Sequence, residues 1–179
     1  MSEYDGARRK ARSMVDGYGA AVDRFSAAIR SGESDPSATA LFEALNWVHA
    51  LDDLIGEIWR PDKKKLGRDW HKLIDGAEIL GGVRYARNRV HHQWADALRW
   101  DQGFRFPMRF PLVMHSWVWA PADELPTADR PDPDGRAIYE RMLANVRAED
   151  ALFLIRDVFA QVMDMLEPRI APSRAPNRS

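Results

Sequence analysis

The sequence predicts an all-α protein: an antiparallel four-helix bundle with a short irregular or β-hairpin insertion between the third and last helices. Three observations point there. Apolar residues recur at steps of three and four through four long stretches. Turn-forming clusters such as Gly32-Glu33-Ser34-Asp35-Pro36 separate those stretches. One segment alone, LVMHSWVW at residues 112–119, has the β-branched and aromatic composition of a strand. With 179 residues, 45% of them hydrophobic, the chain is long enough for one core. A single domain over residues 1–167 and a disordered tail over 168–179 are expected.

The first helix, about residues 4–31, carries Met14, Tyr18, Val22, Phe25 and Ile29 as its stripe and ends near Gly32. The second, about 38–60, has Ser37 as a candidate cap and Pro61 as its stop, with Leu41, Leu45, Val48, Leu51, Ile55 and Ile58 facing the core. Asp52 sits within that stripe between Val48 and Ile55, and a buried carboxylate needs a partner. The third helix, about 69–100, has Leu73, Ala77, Leu80, Val83, Val90, Trp94 and Ala97 on its apolar line. Gly81-Gly82 within it marks either a kink or the close approach of another backbone. The insertion spans about 101–133, with His115, Trp117 and Trp119 on one face at period two. The last helix, about 134–166, runs from Ile138 and Met142 through Val146, Phe153, Ile155, Phe159 and Val162 to Leu166. Four long helices in a chain of this length make an antiparallel bundle the natural expectation.

Composition narrows the function classes. With no cysteine, neither a disulfide framework nor a Cys-based zinc site is possible. Net charge is −1, so nucleic-acid binding would have to come from a local patch rather than from the whole surface. No apolar run reaches the roughly 20 residues of a membrane span, and the N-terminus shows no apolar leader segment. A cytoplasmic protein without membrane contact is the expectation. No P-loop, GxGxxG, GxSxG or HExxH pattern is present, and neither a metal nor a cofactor is expected.

The densest chemistry lies in RYARNRVHHQW, residues 84–94. Arg87, Asn88 and His92 form an R-N-x-x-x-H spacing on the third helix. An arginine holds phosphate oxygens through two parallel hydrogen bonds, and an imidazole moves protons near neutral pH. On an ideal helix Arg87 and His92 lie about 140° apart, whereas His91 shares the face of Arg87. Asn88 and His92 point away from Val90, together with Tyr85 and Arg99. From residue 84 to 109 six arginines oppose two aspartates, with Trp94, Trp100, Phe104 and Phe106 interleaved. Cations among aromatics suit single-stranded RNA.

The motif and its placement resemble HEPN domains, small helical bundles of which many are metal-independent ribonucleases. The resemblance implies a homodimer in which two motifs face each other across a two-fold axis. It implies RNA cleavage by the ribose 2′-hydroxyl, in a toxin–antitoxin or phage-defence setting with a possible antitoxin protein as partner. Arg87, Asn88 and His92 would be catalytic, with Asp52 as the extra acidic residue and Asp53 and Glu57 as its rivals. Arg84, Arg89, His91 and Arg99 would contact RNA. The choice between His91 and His92 stays open, although the family spacing selects His92. The alternative is a non-catalytic HEPN-like module that binds RNA, nucleotide or a protein.

Overall fold

Helix α1 (Glu3–Ser31) forms on the expected stripe, with Tyr18, Val22 and Phe25 fully buried. It ends in a Schellman turn: Gly32 takes φ +75°, its N–H donates to the Ile29 carbonyl, and the Glu33 N–H donates to that of Ala28. The computed structural model describes residues 3–58, 69–90, 93–101, 115–127 and 130–166. Across them the chain is mostly helical, with one two-stranded antiparallel sheet.

Helix α2 (Ser34–Ile58) packs along α1 and begins earlier than the sequence suggests. Ser37 is not its cap but lies inside its first turns, fully buried, donating to the Ser34 carbonyl and accepting from Trp117 Nε1 at 2.8 Å. Pro36 stands in the first turn of α2 and does not delay it. In the first turn of a helix the missing proline N–H leaves no bond unmade, so the helix forms through it.

The third helix is much shorter than expected. A 3-10 turn (Asp69–Lys72) and further turns precede α3 (Ile79–Val90), and a second 3-10 turn (Trp94–Ala97) leads into β1 (Leu98–Asp101). Gly76, at φ +76°, breaks the upstream part. Ile74 is therefore buried there while Leu73, expected in the core, is 59% exposed. Downstream, Val90, Trp94 and Ala97 are buried as expected, and Trp94 Nε1 donates to Asn46 Oδ1 at 3.2 Å. Gly81 and Gly82 mark a close approach. A Cβ on Gly82 would lie 3.0 Å from Leu143 Cδ1 and 3.4 Å from the Tyr139 Cα.

β1 pairs antiparallel with β2 (Ser116–Trp119), Leu98 opposite Trp119 and Trp100 opposite Trp117. The strand expected around Trp117 is present, but its partner comes from residues read as helix. The Trp100 ring stacks on His115 at 5.3 Å and meets Trp117 at 5.4 Å.

The expected last helix is two helices, α4 (Pro133–Met142) and α5 (Ala148–Leu166). Asp132 caps α4 by accepting from the Gly135 N–H at 2.9 Å, with Pro133 next to it. Asn145 at φ +63° turns the chain, and this turn bonds to β2 through Trp119 N–H to Val146 O and Asn145 N–H to Trp119 O. Neither glycine nor proline announces the break; asparagine tolerates the left-handed conformation. Phe153 is 41% exposed, outside the core expected for it, while Ile155, Phe159 and Val162 are buried.

α4 lies against α3, so Tyr85 is buried and its ring meets Tyr139 at 5.6 Å. The face of α3 expected to await a second copy is in part covered by the chain's own α4. Tyr18 Oη ties α1 to α5 by donating to the Leu152 carbonyl at 2.6 Å. Among the described residues no helix is long and apolar enough to cross a membrane. The expected tail lies outside the described residues.

Candidate functional site

Asp52 is 3% exposed on the core face of α2. An ionised carboxylate there requires cations and donors close by. It has two: Arg84 Nη2, from α3, bonds Oδ2, and His71 Nε2, from the 3-10 turn Asp69–Lys72, lies 2.8 Å from Oδ1. Trp70, fully buried, packs edge-on against the His71 ring at 4.4 Å. Burial pushes the Asp52 carboxyl up, but the His71 hydrogen bond and the Arg84 charge outweigh it, and the group titrates below the usual carboxylate range. His71 therefore presents Nε2–H to an ionised acceptor.

The next residue, Asp53, is turned about 100° round the helix and is half exposed. One turn back, His49 Nε2 lies 3.2 Å from Asp53 Oδ2. Arg87, one turn beyond Arg84, acts electrostatically on both of them. Burial lowers the His49 pKa, opposed by Asp53, and it lowers that of Arg87, again opposed by Asp53. Arg87 nonetheless stays cationic at neutral pH. The Nε atoms of Arg84 and Arg87 are both buried and have no hydrogen-bond partner among the described residues. A seam between α2 and α3 thus holds two guanidinium groups with unused inward donors beside two His–Asp pairs.

The structure divides the residues singled out in the sequence. Asp52, Arg84 and Arg87 meet in the seam, with Arg84 an ion-pair partner rather than a solvated phosphate contact. Asn88 is exposed. Arg89 turns the other way, its guanidinium 4.9 Å over the Tyr85 ring, beside a cavity of about 300 Å³ that Arg136, Asp123 and Thr127 also line. Arg99, on β1, pairs with Glu124. The run of arginines is therefore not one patch. His91 and His92 lie outside the described residues, as do Arg105 and Arg109.

Two histidines of the seam were missed. His49 carried a signal, the i,i+4 spacing to Asp53 on one helix face. His71 carried none, because its segment read as helix. Among the described residues no group of three or more histidines and carboxylates is arranged to hold a metal ion. Comparison with family models, with curated proteins and with solved structures found no match.

Proposed function

We propose that the chain is a metal-independent endoribonuclease of HEPN type, acting in the cytoplasm in a toxin–antitoxin or phage-defence role. The observation that carries the proposal is the state of Arg87. Its guanidinium is partly buried, its Nε–H lacks an acceptor, and a His–Asp pair stands beside it, on the last turn of the helix that leads into His91 and His92. In this reading α1, α2, α3 and α5 are the four bundle helices, and α4 with the β-ribbon is the insertion.

Arg87 holds the scissile phosphate and stabilises the charge that grows on its equatorial oxygens. The ribose 2′-oxygen loses its proton to a base, bonds to phosphorus, and the bond to the 5′-oxygen breaks with protonation of that oxygen. His92, at the motif spacing, is the imidazole that the resemblance selects, here as the acid that protonates the 5′-oxygen. General acid–base assistance of this kind contributes about 10²–10⁴ in rate. Asp52 acts through Arg84, as a positioning residue. Two protomers bring their motifs together, and RNA and an antitoxin protein are the partners.

The test is cleavage of single-stranded RNA by wild type, Arg87→Ala and His92→Ala. Wild type should cut in EDTA and leave 2′,3′-cyclic phosphate and 5′-hydroxyl ends, and each variant should lose cleavage while keeping its circular dichroism. Equal cutting by both variants overturns the proposal. Binding of RNA by wild type without cutting replaces it with the non-catalytic module.

A further inference from the structure

We propose that His49, oriented by Asp53, is a proton-transferring residue of this site, so that α2 and α3 of one protomer carry both an imidazole and its phosphate-binding arginine. The inference rests on the ribonuclease reading above and adds a catalytic residue that the sequence motif does not contain.

The geometry is that of a histidine prepared for base catalysis. Asp53, one helical turn ahead, places Oδ2 3.2 Å from Nε2 as an ion-pair neighbour. A carboxylate on that side favours the proton on Nε2 and leaves the Nδ1 lone pair for a substrate hydroxyl. The His49 side chain is 24% exposed, so its ring is sheltered yet reachable. Arg87 stands close enough to affect both members of the pair. A phosphate held by the partly exposed Arg87 side chain would bring its ribose to the same edge of the seam.

The alternative imidazole in the seam is less suited. His71 is 13% exposed, holds the buried Asp52, and is wedged against Trp70. It braces Arg84 instead of facing a ligand. The charged groups acting on His49 are Asp53 and Asp52 from α2 and Arg87 and Arg84 from α3. Asp52 and Arg84 are engaged with each other, and Asp53 and Arg87 are the charged groups that act most strongly on the ring after burial itself. Burial keeps the ring below its ordinary pKa, so it is neutral at pH 7, the form a base requires.

In the step itself, His49 Nδ1 takes the 2′-hydroxyl proton as the 2′-oxygen bonds to phosphorus. The bond from phosphorus to the 5′-oxygen breaks, that oxygen takes a proton from His92, and His49 later returns its proton to solvent, from which His92 is reprotonated.

The experiment measures kcat on single-stranded RNA from pH 5 to 9 for wild type, His49→Gln, His49→Ala and Asp53→Asn, with binding of an uncleavable 2′-O-methyl RNA measured in parallel. We expect both His49 variants to lose at least about 10²-fold in kcat, with analogue binding within about twofold of wild type. Asp53 raises the His49 pKa, so Asp53→Asn should move the rising acid limb of the profile to lower pH. Glutamine nearly fills the imidazole's place, which covers the case of an alanine variant that does not fold. Wild-type rates in His49→Gln, or an unmoved limb in Asp53→Asn, overturn the inference while leaving the ribonuclease reading intact. A wild type that cuts no RNA overturns both.

Discussion

Toward α2, helix α3 presents Arg84 and Arg87; toward α4, it presents Gly81, Gly82 and Tyr85. The first seam is joined by charge. Asp52 is taken out of water and kept ionised by one guanidinium and one imidazole. The second is joined by shape, with α3 brought so close to α4 that Gly82 faces the Tyr139 backbone. A charged seam is intolerant of losing one member, because the others are then buried without a partner. An apolar seam is intolerant of added volume, because a Cβ there presses on a packed neighbour, at Gly82 the Leu143 side chain at 3.0 Å. The difference teaches how one helix is fastened on two sides by opposite means, one side failing when a partner is removed and the other when volume is added.

Removing the centre of the charged seam should have the largest effect. Asp52→Ala should destabilise the protein by about 3–5 kcal/mol in urea denaturation. A loss under about 1 kcal/mol would mean that Arg84 and His71 find other partners. The same node sets an acid-side dependence. The folded protein keeps Asp52 ionised to lower pH than the unfolded chain, in which aspartate titrates near 3.9. Its contribution is present above about pH 3.9 and is lost as pH falls through the folded value. Asp52→Asn should flatten that part of the profile, measured as urea midpoints from pH 6 to 3.

The apolar seam should give the next effect. Gly82→Ala should destabilise by about 1–3 kcal/mol through overpacking, less about 1 kcal/mol from better helix propensity. Gly81→Ala meets only the end of Ile138 at 3.3 Å and should lie near zero or stabilise. Similar thermal shifts for the two would remove the argument from close approach.

Smallest of all should be Arg99→Ala, which breaks an exposed pair with Glu124 and should cost about 0–1 kcal/mol. Its RNA affinity, plotted against salt, should keep the wild-type slope, whereas Arg87→Ala should reduce it. A clear drop in slope for Arg99→Ala would restore the continuous cationic patch read from the sequence.

How far the sequence was legible depended on what set each element. Where hydrophobic period alone decides, as in α1 and most of α2, the helices stand where the spacing puts them, and only the start of α2, set by Pro36 in its first turn, differs. Period does not report chain breaks caused by one backbone conformation. Gly76 and Asn145 each take positive φ inside a stretch whose apolar spacing continues, and the long third and last helices were lost there. The site was legible in the same uneven way. That Asp52 needs a partner follows from its place in the stripe, and the structure supplies Arg84. That Arg84, Arg89 and Arg99 part company does not follow from their proximity in sequence. It depends on α4 and β1, which the reading had as other elements.

The turn through Asn145 has a bearing on solubility. By bonding Trp119 on both its N–H and its carbonyl, it closes the side of β2 that β1 leaves open. Unpaired strand edges recruit other chains, and aggregation often begins on them. In this ribbon β1 keeps the outer row of backbone groups among the described residues, and that row is four residues long with exposed Arg99 and Asp101 along it. A short edge bearing both charges is a poor template for a foreign strand. Asn145 thereby helps keep a tryptophan-rich ribbon from joining its neighbours.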